Sequence, residues 1–137
     1  MNTTIEDCKI LPLDRHHSDR QGDLSVVEGG YTIPFPIRRI YFLYDIPGGA
    51  TRGGHAHKEL YQLIIAASGS FTVVLDDGKN RQRITLNRPY QALLIVPGIW
   101  RELEDFSSGA VCLVLASSHY EEEDYIRDYP VFLKSKK

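Results

Sequence analysis

The stretch LYQLIIAASGSFTVVLDDGKNRQRITL, residues 60–86, decides the fold. It holds three short runs, Leu60–Ala67, Ser70–Leu75 and Arg81–Leu86, in which β-branched and aromatic residues are frequent, as strands require. Ser68-Gly69-Ser70 joins the first two runs, Asp76-Asp77-Gly78-Lys79-Asn80 joins the last two, and both connections read as hairpins. In Phe71–Leu75 and Arg81–Leu86 polar and apolar residues alternate loosely, the pattern of a sheet with one wet face. Outward from this stretch the same unit recurs at Leu24–Glu28, Ile37–Tyr44, Gln91–Val96 and Ala110–Ala116, each run closed by Gly, Pro, Asp or Asn. Short strands at spacings near ten residues predict an all-β fold, a sandwich or barrel of antiparallel strands. Only the tail departs from this: Tyr120–Tyr129, with acidic residues Glu121 to Asp124 at its head, predicts one short C-terminal helix.

The 137 residues suit a single domain spanning 1–137. Hydrophobic residues make up 42%, enough to bury a core and too many for intrinsic disorder. Sixteen Lys and Arg against eighteen Asp and Glu leave a formal charge of −2, so no basic surplus draws the chain to nucleic acid or to an anionic membrane. The longest apolar run is about seven residues, too short to span a bilayer, and Met1 to Lys9 lacks the pattern of a signal peptide. Two cysteines, Cys8 and Cys112, make no disulfide framework, and a reduced, cytoplasmic setting is expected.

Of the five histidines, His16 and His17 lie in a polar segment expected to be a surface loop, and His119 follows the last strand run. The segment Gly48-Gly49-Ala50-Thr51-Arg52-Gly53-Gly54-His55-Ala56-His57-Lys58 is different. Its glycines allow a close backbone path, and two histidines two positions apart on a strand present both imidazoles on one face. Such a pair can share a metal ion, or one ring can abstract a proton while the other positions or reprotonates the substrate.

The order Gly49, His55, His57, Gln62, Gly69 resembles the first motif of the cupin family, whose fold is a small β-barrel or jelly roll. The run from Tyr90 through Pro97-Gly98-Ile99-Trp100-Arg101 resembles the second. Metal-binding cupins carry Glu where this chain has Gln62, and a histidine at or near Arg101. A neutral amide is a poor ligand and a charged guanidinium is none, so no metal is expected. The resemblance narrows further on Arg39-Ile40-Tyr41-Phe42, Arg52-Gly53-Gly54-His55-Ala56-His57-Lys58, Pro97 to Glu102, Asp105-Phe106 and Asp124-Tyr125-Ile126-Arg127-Asp128-Tyr129. These segments resemble the WxcM-like group of cupins, the nucleotide-sugar 3,4-ketoisomerases.

That resemblance implies an isomerase acting on dTDP-4-keto-6-deoxy-D-glucose, giving a dTDP-3-keto-6-deoxyhexose for 3-amino-3,6-dideoxyhexose biosynthesis. It also implies no metal, no other cofactor and a homodimer with exchanged strands. The expected proton carriers are His55 and His57, with His55 favoured as the base; imidazole, with a pKa of about 6.5, suits both directions of transfer near neutrality. Arg39 is expected on the pyrophosphate, Tyr41 on a hexose hydroxyl or as a proton donor, Arg52 on the enediolate or the diphosphate, and Arg101 near the sugar. Trp100 is expected as core packing or a pocket wall. Gln62 can donate to and accept from a sugar hydroxyl, although strict alternation puts it on the opposite face from His55. Three other readings use the same fold: a dTDP-4-keto-sugar 3,5-epimerase, a metal-dependent oxygenase, and a nucleotide-sugar-binding module without turnover.

Overall fold

The computed structural model describes residues 1–137 as twelve strands and one C-terminal helix. In chain order these are β1 (Lys9–Pro12), β2 (Arg15–Ser18), β3 (Gly22–Ser25), β4 (Arg39–Leu43), β5 (Arg52–His57), β6 (Gln62–Ser68), β7 (Phe71–Asp76), β8 (Arg81–Leu86), β9 (Gln91–Ile95), β10 (Trp100–Glu104), β11 (Val111–Ala116), β12 (Tyr125–Ile126) and helix α1 (Tyr129–Ser135). Of the two predicted hairpins, the one at Ser68-Gly69-Ser70 does not form, because β6 and β7 lie in different sheets and this turn carries the chain from one to the other. The second is β7–β8, in register from Phe71 opposite Leu86 to Asp76 opposite Arg81. Its turn is built by side chains: Asp77 Oδ1 accepts from the backbone N–H groups of Lys79 (2.9 Å) and Asn80 (2.8 Å), and Gly78 takes the positive φ of 92° that closes the loop.

Two five-stranded antiparallel sheets face each other, one ordered β1-β9-β6-β11-β4 and the other β12-β5-β10-β7-β8. They form a jelly-roll sandwich of two opposed sheets rather than a closed barrel. Ile64 and Ala66 of β6, Phe71, Val73 and Leu75 of β7, Leu93 and Ile95 of β9 and Cys112 and Val114 of β11 make one buried cluster between the sheets. The neighbouring residues Leu63, Ile65, Ala92, Leu94 and Leu115 point the other way and pack with Leu13, Ile33 and Phe35. Strands β6, β9 and β11 are thus apolar on both faces. That is why their sequences read as unbroken hydrophobic runs, while β8, with one wet face, alternates.

Two further sequence expectations need correction. His16 and His17 belong to a strand, β2, paired with β3 in a separate two-stranded sheet, where His17 is hydrogen-bonded to Asp19 and Asp23. Tyr120–Tyr129 is not a helix. It forms a short 3-10 turn, Glu122–Asp124, and then the two residues of β12, which pair Tyr125 with His57 and Ile126 with Ala56. Ile126 is its only buried residue, so no helical apolar stripe exists, and Asp124 is drawn into side-chain and backbone bonds elsewhere. The helix starts after Asp128, whose side chain accepts from Val131 N–H, with Pro130 in the first turn.

Helix α1 covers the outer face of the second sheet through Phe132, which is fully buried with Ala56, Trp100 and Ile126. Replacing Phe132 by Ala is expected to cost about 3–5 kcal/mol of stability, read as a lower midpoint in urea denaturation. A loss under about 1 kcal/mol would show that α1 is not docked in this way.

Candidate active site

The close path at the start of β5 has a specific cause. Gly53 has φ of 97°, and a Cβ there would sit 3.1 Å from the Arg101 carbonyl oxygen. The β5–β10 register shifts between Arg101 and Glu102, and this bulge places Arg101 opposite His55. His55 and His57 then lie on one face, their rings edge-on at 4.9 Å between centroids. Tyr125 of β12 packs against both, at 5.1 Å from His55 and 4.4 Å from His57.

The His57 imidazole is oriented by its Nδ1. His57 Nδ1–H donates to Asp124 Oδ2 at 2.9 Å, and Asp124 is itself held by the Glu59 backbone N–H on Oδ1 at 2.8 Å. His55 Nε2 is buried without a partner. His57 Nε2 is likewise buried and bare. With Nδ1 as donor to a carboxylate, the Nε2 of His57 is an acceptor.

Arg101 is the charge at the centre, with 2% of its surface exposed. Nε donates to the Ile99 carbonyl at 3.1 Å, Nη1 donates to Gln62 Oε1 at 2.6 Å, and Nη2 has no partner. Gln62 Nε2 donates in turn to Tyr41 Oη at 3.1 Å. Gln62 reaches this face because β5 and β6 lie in different sheets, so alternation along a single strand does not apply. Arg39 lies between two rings, 5.4 Å from Tyr41 and 5.5 Å from Tyr120, with Nε and Nη2 buried and unpartnered. Five buried nitrogens without partners, on His55, His57, Arg39 and Arg101, mark the place where a ligand would supply the missing bonds.

Burial and the Arg101 charge push the His55 pKa down to about 3, and the same two causes lower that of His57. The value of about 6.5 expected for a solvated imidazole therefore does not survive the fold. Burial lowers the Arg101 pKa to about 10, which leaves it cationic at neutral pH. Burial raises the Tyr41 pKa against the opposing pull of Arg101, so its hydroxyl keeps its proton.

The donor set suits an anion better than a divalent cation. No three His, Cys, Asp or Glu side chains converge, Arg101 engages the Gln62 oxygen, and a buried guanidinium beside the imidazoles repels a second cation. Two expected residues are not brought to this cluster. Arg52 is exposed beside the Asp45–Ala50 loop. Trp100 points to the opposite face of β10 from Arg101 and packs on Tyr129 and Phe132, its Nε1–H donating to Glu102 at 2.9 Å.

Asp124 and Tyr125 were not identified from the sequence. Their only signal is the Asp-Tyr-Ile-Arg tail, whose acidic head reads as a solvated helix start.

The FdtA family model, described as WxcM-like, C-terminal, matches residues 6–137. The chain is 47% identical over 116 residues to the TDP-4-oxo-6-deoxy-alpha-D-glucose-3,4-oxoisomerase of Aneurinibacillus thermoaerophilus, covering 85% of this chain and 84% of that one. It is similar to the crystal structure of a 3,4-ketoisomerase from Helicobacter canadensis, with TM-score 0.91, 48% identity and coverage of 95% and 97%. It is also similar to a sugar 3,4-ketoisomerase from Thermoanaerobacterium thermosaccharolyticum in complex with TDP, with TM-score 0.94, 37% identity and coverage of 97% and 96%. A histidine-to-asparagine mutant of the latter was solved with TDP-4-keto-6-deoxyglucose.

Neutral burial of the histidines has a signature in stability. An unfolded imidazole takes its proton near about pH 6.5, whereas folded His55 takes one only near 3. Between these values the unfolded chain binds more protons, so stability falls as pH drops through the window. The loss of thermal midpoint between about pH 7.5 and about pH 4.5 is expected to be smaller in His55→Asn/His57→Asn than in the parent. An equal loss in both proteins would contradict neutral burial.

Proposed function

Because the chain belongs to the WxcM-like family, we propose that its site moves the carbonyl of a TDP-linked 4-keto-6-deoxyhexose from C4 to C3 by proton transfer through an enediol. The observation that carries this reading is the pair of buried, bare Nε2 atoms beside Arg101. The C3–H of a 4-keto sugar is acidic because the anion left behind delocalises onto the C4 oxygen. A neutral imidazole Nε2 takes the C3 proton, with His55 assigned as the base, while the Tyr41 hydroxyl gives its proton to the C4 oxygen. The resulting enediol then takes a proton at C4 from an imidazolium, and the C3 hydroxyl returns its proton to the Tyr41 oxygen. Protons balance, and both side chains end as they began.

The depressed histidine pKa values belong to the free site, where burial and, second to it, repulsion by Arg101 oppose a positive charge on the rings. Negative charge developing on the sugar as the C3 proton leaves offsets that repulsion and also meets the free Nη2 of Arg101. Asp124, on Nδ1 of His57, keeps that ring in the tautomer with Nε2 bare and stabilises its imidazolium. Arg39, with two free nitrogens, is assigned to the diphosphate.

A homodimer fits the surface. Strand β4 pairs only with β11, leaving one edge open, and Ile40 and Phe42 on its outer side are each 57% exposed. Beside them runs a groove of about 680 Å³ lined by Leu13, Val27, Ile37, Ile40, Ile65 and Leu113 among others. The β2–β3 ribbon makes its own two-stranded sheet, the kind of element that can be exchanged between copies. The buried free thiols of Cys8 and Cys112 agree with a reducing, cytoplasmic setting.

In D2O, with TDP-4-keto-6-deoxyglucose as substrate, NMR is expected to show a 3-keto sugar carrying deuterium at C4, with or without a chelator. His55→Asn is expected to lower the rate by about 10²–10⁴-fold. Retention of parental turnover by that variant would transfer the base role to His57, and absence of exchange at any carbon would overturn the isomerase reading for this substrate. In sedimentation, the parent is expected at about twice the 15.6 kDa chain mass, and Ile40→Glu shifts the distribution toward the single chain.

A further inference from the structure

The hydrogen-bond chain from Arg101 to Tyr41 has a direction, and the direction has a chemical use. A guanidinium only donates. Its Nη1 lies 2.6 Å from one end of the Gln62 amide, so that end must be the oxygen. The NH2 end, which also only donates, therefore faces Tyr41 Oη at 3.1 Å. Tyr41 must accept this bond, and its own hydrogen cannot point at Gln62. Tyr41 makes no other side-chain hydrogen bond in the fold, so its proton is left free for a ligand oxygen. Gln62 itself is 1% exposed and is engaged at both ends of its amide.

We propose that Gln62 is a positioning residue that sets the polarity of the Tyr41 hydroxyl: anchored by Arg101, its amide occupies the phenol oxygen as a donor and turns the O–H toward the sugar. The inference rests on the reading above, in which Tyr41 hands a proton to the sugar oxygen. It separates Gln62 from the residues that touch substrate. It also gives the neutral amide a reason that a carboxylate of the same shape cannot satisfy, since a glutamate at this position would accept from both neighbours and hold the phenol proton for itself.

Two variants order oppositely under a structural and a polarity role. Gln62→Glu keeps the volume and strengthens the partner of Arg101, so a structural role makes it the milder change. Gln62→Met removes both bonds but leaves the phenol proton free, so the polarity role makes Met the milder change. The expected result is a kcat loss of about 10²-fold in Gln62→Glu, similar to Tyr41→Phe and larger than in Gln62→Met, with KM changed less than about threefold. In a double-mutant cycle, Gln62→Glu added to Tyr41→Phe is expected to cost no further activity.

Parental kcat in Gln62→Glu, a larger loss in Met than in Glu, or losses that multiply with Tyr41→Phe would each overturn the proposal. Full activity in Tyr41→Phe alone would instead overturn the reading of Tyr41 on which it rests. Melting midpoints identify a variant that fails to fold. If Gln62→Glu fails, the cycle is read with Gln62→Met, whose loss must vanish in the Tyr41→Phe background.

Discussion

A guanidinium buried with no carboxylate partner is the constraint around which this fold is organised. A charge at the Arg101 position is tolerated inside a protein only where enough dipoles and hydrogen bonds meet it. The fold provides the Ile99 carbonyl and the Gln62 amide oxygen and leaves one nitrogen open. The bulge between Arg101 and Glu102, and the glycine that β5 needs opposite it, are the backbone consequences of bringing this side chain alongside His55. Burial first, and the same charge second, keep the imidazoles unprotonated, and the guanidinium fixes the direction of the amide beside Tyr41.

Much of the architecture was legible in the sequence because it is encoded locally. Strands β6, β7, β8, β9 and β11 are visible as apolar runs between Gly, Asp and Asn turns, and the Asp77-Gly78-Lys79-Asn80 loop is self-capping. Strands whose side chains do not separate wet from dry were not visible. β2 is exposed along most of its length, and β10 interleaves Arg and Glu with Trp and Leu because its charged positions are engaged rather than solvated. β12 has two residues and no pattern to read.

The candidate site divides along the same line. His55, His57, Tyr41, Gln62 and Arg101 carry chemistry in their side-chain types and are found by motif. Asp124 meets His57 across 67 positions, a pairing made by topology that leaves no periodic trace. Arg52 and Trp100 both neighbour motif residues in sequence, yet Arg52 lies exposed away from the cluster and Trp100 takes the core-packing place that was one of its two expected readings. Nearness along a β chain is a poor guide to nearness in a pocket unless the face is known as well.

The dependence of His57 on β12 and on the turn before it also has a consequence for how the protein comes into being. A chain growing from its N-terminus acquires every strand but β12, both histidines, Arg39 and Arg101 before Asp124 is made. Until that residue arrives, the β5 edge has no β12 beside it and the buried imidazole has no carboxylate to fix which nitrogen carries its hydrogen. The orientation of the His57 ring is therefore fixed only once Asp124 and β12 have been made, and a chain stopped before Asp124 lacks that carboxylate together with the buried Ile126 and Phe132.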